Sequence, residues 1–296
     1  MKLAIASAAA IAVATLAAPA FARSGPIVEI RHAVARVAVV VEDRTDIAVE
    51  IEQGASGLPA PRVTRDGANV RIDGGLGRRG FMNRGDGIRN CSSGTDNPAT
   101  PGDGVTIEVR NVGRINVSDA PLIVIRTPRD INIDASGAVF GSIGRGATSV
   151  DLGTGGCGYW NVANTEGPVS LSIGGSGDMR AGTSTSLDIS IAGSGSVSTG
   201  ATRDLDISIA GSGDVVVARV DGPTDVSIAG SGDVDIRTGT SPDLSVSIAG
   251  SGDVNFGGVA VDVDVSLVGG GDVTVAKATG SVSRSVMGGG DIRIGS

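Results

Sequence analysis

The sequence predicts an all-β protein, a parallel β-solenoid of about ten short coils that follows an N-terminal β segment. Three observations predict it: a short phrase that recurs along the chain, abundant glycine, and very few aromatic residues. Glycine supplies 48 of the 296 residues and aromatic residues only 2%, while apolar residues make up 40%. This apolar content excludes a disordered polar chain, and the missing Gly-X-Y period excludes collagen.

The repeat defines the coils. The phrase Ser-Ile-Ala-Gly-Ser-Gly-Asp-Val occurs at 208–215, 227–234 and 247–254, and weaker variants can be traced back to Ile115. Each unit starts with an alternating segment such as Leu187–Ile191, which is typical of a half-buried strand. A glycine corner and a second short strand follow. Two strands in about 19 residues are too few for a propeller blade, and helical periodicity is absent, so a solenoid remains.

The repeated units resemble the bacterial family described as "putative auto-transporter adhesin, head GIN domain". The opening is also similar to that family, with one strand pair in Ala33–Gln53 and another in Val63–Asp73. The likeness covers about 27–73 and 105–296. It implies a right-handed β-helix, an exported location and no established enzymatic activity.

The N-terminus predicts export. Lys2 precedes a short apolar stretch, and Ala20-Phe21-Ala22 matches the signal-peptidase rule, so cleavage is expected between Ala22 and Arg23. A membrane anchor is the alternative, but the stretch is short and ends in a cleavage motif. No later stretch is apolar enough to span a bilayer. We expect a periplasmic, secreted or cell-surface product. The expected organisation is a signal peptide at 1–22, an N-terminal β segment at 23–73, a Gly/Arg-rich loop at 74–104 and solenoid repeats at 105–296.

The charge of the chain limits the classes of partner that it is expected to bind. Residues 151–296 carry 17 acidic side chains against 7 basic ones, and such a surface repels a phosphate backbone. Nucleic acid is therefore not expected as a partner. A glycan or another envelope or surface component is the expected partner, and a monomer or small homo-oligomer is the expected state. No cofactor is indicated.

The two cysteines lie where the repeat is irregular. In an exported chain they indicate one disulfide, Cys91–Cys157, with two free thiols as the alternative. The bond would tie the 74–104 loop to the coil that holds Tyr159 and Trp160. Alternation points Trp160 inward and Tyr159 outward.

This junction is the candidate ligand site. One hypothesis is a patch for a sugar or an anionic polymer, and the other is that both rings simply pack under the loop. The residues of the candidate patch are Tyr159, Arg78, Arg79 and Arg84.

One aspartate per coil forms a second candidate feature. Like charges about 4.8 Å apart repel, so something must offset that repulsion. The carboxylates could accept backbone N–H bonds, or Ca²⁺ could bind between coils. The ladder consists of Asp178, Asp214, Asp233, Asp253, Asp272 and Asp291, with Ser196 as its one gap.

These features favour a non-enzymatic exported protein that acts by binding or adhesion, or as a structural element. One alternative is a polysaccharide lyase or glycosidase with its site near the 74–104 loop, because larger β-helices host such sites. Another is a self-assembling envelope scaffold. Arg284 occupies an inward position of the last coil, where earlier coils have Ile189 and Val265, and this charge predicts a cap against open-ended assembly.

Overall fold

The protein is nearly all β in a computed structural model that describes residues 25–77, 87–91 and 101–296. Strands account for 65% of the described residues, and parallel coils stack into a β-solenoid of about nine turns. The predicted fold class is therefore confirmed. The predicted cleavage site between Ala22 and Arg23 lies outside the described residues.

Two long strands, then pairs of shorter strands, then two more long strands and three short ones form the coils. Each strand pairs in parallel with the equivalent strand of the next coil, so that Ile189 lies in register between Leu171 and Ile207. In chain order these strands are β9 (Asp130–Ile143), β10 (Ser149–Val162), β11 (Val169–Ile173), β12 (Asp178–Ala181), β13 (Ser186–Gly193), β14 (Val197–Thr202), β15 (Asp204–Gly211), β16 (Val215–Asp221), β17 (Thr224–Gly230), β18 (Val234–Ile236), β19 (Gly239–Gly250), β20 (Val254–Gly269), β21 (Val273–Ala278), β22 (Val282–Gly288) and β23 (Ile292–Ile294).

The N-terminal strands extend the stack and close it. The long strand β1 (Ile27–Val41) pairs in parallel with β9 and adds one rung beneath it. On the other side of β1 lie β4 (Asn69–Asp73) and β8 (Leu122–Thr127), both parallel to it. The outermost strands are antiparallel, β2 (Ala48–Glu52) on β8 and β3 (Arg62–Asp66) on β4. This end of the solenoid is therefore covered.

A separate small sheet comes between β4 and β8 in the sequence. It consists of three antiparallel strands, β5 (Ile88–Arg89), β6 (Thr106–Val109) and β7 (Gly113–Asn116), and a 3₁₀ helix, Val117–Asp119, follows. The repeat unit that we predicted from Ile115 is thus wrong, because Ile115 pairs with Ile107 in this sheet instead of starting a coil. Its apolar–polar–apolar pattern suits either kind of strand.

The solenoid interior is a continuous apolar column. Valine, isoleucine and leucine fill it on successive coils, and most of these side chains are under 5% exposed. At one corner of each coil from β13 onward a glycine takes a positive φ, for example 147° at Gly211. A Cβ on Gly211 would also collide with the carbonyl oxygen of Gly193 on the preceding coil. Both the backbone angle and the close stacking therefore require glycine there.

Candidate functional site

The disulfide Cys91–Cys157 joins the small sheet to the solenoid. The two Cα atoms are 6.2 Å apart, and the bond spans 66 residues of sequence. Cys157 lies on β10, in register with Ala138 of β9. This pairing confirms the prediction from the two cysteines.

The small sheet packs on the outer face of β9 and β10 and forms a second apolar core. Phe140 and Tyr159 are in register there and contact the small sheet, and only 0% and 5% of their surfaces are exposed. From the sheet side, Ile107 and Val109 complete this core at 0% and 1% exposure. Tyr159 does point away from the solenoid interior, but the small sheet covers its ring.

The predicted ligand patch is thus only partly described. Tyr159 packs in the second core, as in the alternative hypothesis that the rings lie under the loop. The three arginines of the patch lie outside the described residues, so the patch as a whole stays a prediction: Arg78, Arg79 and Arg84. Trp160 points into the solenoid interior and is 0% exposed, as the alternation predicted.

A lateral groove begins at Tyr159 and follows the outer face of the second strand of successive coils. It encloses about 510 Å³, and its ten described lining residues come from β10, β12, β14, β16 and the adjacent turns. We call it the lateral groove. Its lining residues are Tyr159, Asp178, Met179, Arg180, Ser196, Val197, Ser198, Asp214, Val216 and Arg237.

The lining of the lateral groove is mixed: apolar side chains such as Met179 and Val216 lie beside polar groups that carry both signs of charge. Arg180 and Arg237 are exposed, and the Arg237 guanidinium lies 3.7 Å from the Asp235 carboxylate at the groove margin. Ser196 and Ser198 add exposed hydroxyl groups. Such a set can donate and accept several hydrogen bonds at once.

Sequence reasoning missed this groove. The repeat places Arg180, Ser198 and Val216 at one outward position of three successive coils, and this register is visible in the sequence alone. What the sequence does not show is that the small sheet packs over Tyr159, where the groove begins.

The aspartate ladder is held by hydrogen bonds between coils. Except at Asp291, an oxygen of each carboxylate accepts the backbone N–H at the equivalent position of the next coil, as in Asp253 with Asp272 at 2.7 Å. The same bond is made by Asp178, Asp214, Asp233 and Asp272. These hydrogen bonds therefore offset the repulsion between neighbouring carboxylates, as the first of the two alternatives from the sequence predicted.

The last step of the ladder, from Asp272 to Asp291, shows how these hydrogen bonds change the pKa of a carboxylate. The backbone N–H of Asp291 and the guanidinium of Arg293 lower the pKa of Asp272. Within the described ranges, no group of three or more His, Cys, Asp or Glu side chains is arranged to hold a metal. Calcium binding by the ladder stays a prediction. The hydrogen bonds already offset the repulsion between carboxylates of adjacent coils, so the stacking of the coils does not require the ion.

A second acidic column lies on the other sheet of the solenoid and was not singled out as a site from the sequence. Asp188, Asp206 and Asp225 are in register on successive coils. Burial raises the pKa of Asp206, and the neighbouring Asp225 carboxylate raises it further. Burial likewise raises the pKa of Asp188, followed by the charges of Asp206 and Asp151.

A family model described as "Putative auto-transporter adhesin, head GIN domain" matches residues 90–219 and 199–296. The chain belongs to this family. No curated protein matches the chain significantly. An adhesin-like family, a β-solenoid and a disulfide fit an extracellular or surface protein. No helix among the described residues is long and apolar enough to cross a membrane.

Proposed function

We propose that the protein is an exported, non-enzymatic binding protein of the cell envelope or surface, and that the lateral groove holds its ligand, a glycan or another envelope component. Export is supported by the signal-like residues 1–22 and by the disulfide, since disulfides persist in oxidising compartments. Binding is supported by the adhesin-like family.

The observation that carries the proposal is the chemistry of the groove. Guanidinium, carboxylate and hydroxyl groups from Arg180, Arg237, Asp178 and Ser198 face one open channel. These groups hydrogen-bond well to the hydroxyls of a sugar. The groove crosses about four coil steps, or roughly 19 Å at the spacing of paired strands, so an extended polymer can lie along it.

A glycan array with the mature protein tests the proposal. The variant Ser198→Trp fills the groove with a large ring, and Arg180→Ala with Arg237→Ala removes its two cations. We expect each variant to lose most of the binding, at least about tenfold, because several hydrogen bonds are lost together.

The matched control is Ser208→Trp, which places the same ring at an exposed outward position on the other sheet. It should bind as the unchanged protein does. If Ser198→Trp and Ser208→Trp bind equally well, the ligand does not lie in the lateral groove. If a bound glycan is cleaved during incubation, the non-enzymatic assignment is wrong.

A further inference from the structure

The irregular step of the aspartate ladder lies inside the lateral groove. Ser196 takes the ladder position on the coil between Asp178 and Asp214, where the neighbouring coils carry a carboxylate. All three residues line the lateral groove. We call the position of Ser196 the ladder gap. The ligand that the groove binds therefore meets the ladder at the one step where its side chain differs.

The ladder gap deprives one backbone donor of the acceptor that the other steps have. The N–H of Ser196 donates to Asp178 at 2.8 Å, and the N–H of Asp233 donates to Asp214 at 3.1 Å. The equivalent N–H of Asp214 meets Ser196, whose Oγ is one bond closer to the backbone than an aspartate Oδ. Within the described part of the chain this N–H donates no hydrogen bond. Since Asp214 is exposed, a ligand can reach it from the groove.

The groups around the ladder gap suit a carboxylate. The exposed Ser196 hydroxyl can donate a second hydrogen bond, and the guanidinium groups of Arg180 and Arg237 line the same groove. Donors of this kind bind a carboxylate more strongly than a neutral oxygen. The Asp178 and Asp214 carboxylates repel an added anion. The same repulsion exists at every regular step of the ladder, where one N–H bond per coil offsets it.

We propose that the ladder gap selects acidic glycans, and that a sugar carboxylate of the ligand accepts the N–H of Asp214 and the hydroxyl of Ser196. The ligand then supplies the carboxylate that the chain itself supplies on the neighbouring coils. The sugar units on either side would follow the outward column of Arg180, Ser198 and Val216. This inference rests on the proposed function, because it names the class of glycan that the lateral groove binds.

Two labelled tetrasaccharides test the inference on the mature protein. One is tetragalacturonate, and the other is its methyl ester, in which the same carboxyl groups carry no charge. Binding is measured at about 0.15 M salt with EDTA, so that long-range attraction is screened and no calcium ion can bridge the partners. We expect the acid to bind at least about tenfold more tightly than the ester.

Substitution of Ser196 tests the position of the carboxylate. Ser196→Asp should fold, because aspartate occupies the equivalent position on neighbouring coils. It gives the N–H of Asp214 an acceptor from the chain, so we expect at least about a tenfold loss of affinity for tetragalacturonate. Ser196→Asn offers an amide oxygen without added charge and should also weaken binding. The matched control Ser194→Asp puts the same charge at an exposed position of the same coil, and it should change the affinity less than about threefold.

Amide hydrogen exchange followed by NMR observes the donor directly. In the parent protein the amide of Asp214 should exchange faster than those of Asp233 and Asp253, which donate to ladder carboxylates. Addition of tetragalacturonate should slow exchange at Asp214, and so should Ser196→Asp without any ligand.

Equal affinity for the two tetrasaccharides, no binding of tetragalacturonate at millimolar concentration, or unchanged exchange at Asp214 in the complex would overturn the inference. The proposed function fails by a different result, glycan binding on the array that Ser198→Trp leaves unchanged. If acid and ester bind equally and Ser198→Trp abolishes both, the groove binds glycans and the ladder gap does not select them.

Discussion

At the residue scale, one glycine allows the single tryptophan to lie inside a narrow coil. Trp160 is 0% exposed and lies in register between Gly141 and Met179. A Cβ on Gly141 would collide with the six-membered part of the indole ring. The coil below the ring therefore has to lack a side chain at this position.

We predict that Gly141→Ala destabilises the protein by about 1–3 kcal/mol, because an added methyl group overpacks a closed interior. Urea unfolding at equilibrium measures the change. The matched control is Gly270→Ala, where an added Cβ meets nothing within 4 Å. An equal effect of the two substitutions would show that Trp160 does not depend on Gly141.

Two aspartates respond to pH in opposite directions, Asp206 of the second acidic column and Asp262 on β20. Burial and Asp225 raise the pKa of Asp206, so the folded chain holds this proton more tightly than the unfolded chain does. Its stabilising contribution is present at low pH and is lost as the pH rises through the folded pKa. The hydroxyl and backbone N–H of Ser281 instead lower the pKa of Asp262, whose contribution is lost as the pH falls.

We predict that Asp206→Asn raises the urea midpoint at pH 7, because it removes a charge that the fold disfavours. The gain should shrink toward zero near pH 3, where Asp206 is protonated in the parent. Asp262→Asn should lower the midpoint at pH 7, and this loss should also shrink in acid. A gain for Asp206→Asn that is unchanged between pH 7 and pH 3 would contradict the assignment.

At the element scale, the repeat predicted the coils well because the same side chains recur in the same register. Ile189, Ile207 and Val226 are stacked as the 18- and 19-residue spacings required. The stacking of β1 against β9 was not predicted, since the alternation in Ile27–Val41 indicates a strand but not its partner. Pairing of β1 with β9 joins residues about 100 positions apart, and no local pattern encodes that.

The disulfide should hold the small sheet in place on the solenoid. Closing a 66-residue loop is worth about 4 kcal/mol on the chain-entropy model. We predict that Cys91→Ser with Cys157→Ser raises amide hydrogen exchange in β6 and β7 and leaves β13 and β15 unchanged. Unchanged exchange in β6 and β7 would show that the second core alone anchors the sheet.

At the scale of the whole molecule, the regular part of the solenoid is a scaffold and the irregular junction gives it a distinct surface. Composition pointed to this junction, because Tyr159 and Trp160 are adjacent in a chain with 2% aromatic residues. It did not point to the lateral groove, whose lining residues belong to solenoid strands and turns. Nor did it show that the small sheet packs over Tyr159, where the groove begins, because that depends on tertiary packing that repeats in the sequence do not encode.

The most direct test of the account is a hydrogen-exchange footprint of a glycan captured on the array, measured on the mature protein. We predict added protection in β12, β14, β16 and the turn at Arg237, which line or border the lateral groove. The exposed serine column of the opposite sheet, around Ser208, should stay unchanged. Protection confined to that opposite sheet, or to the last coil at β22 and β23, would contradict the account.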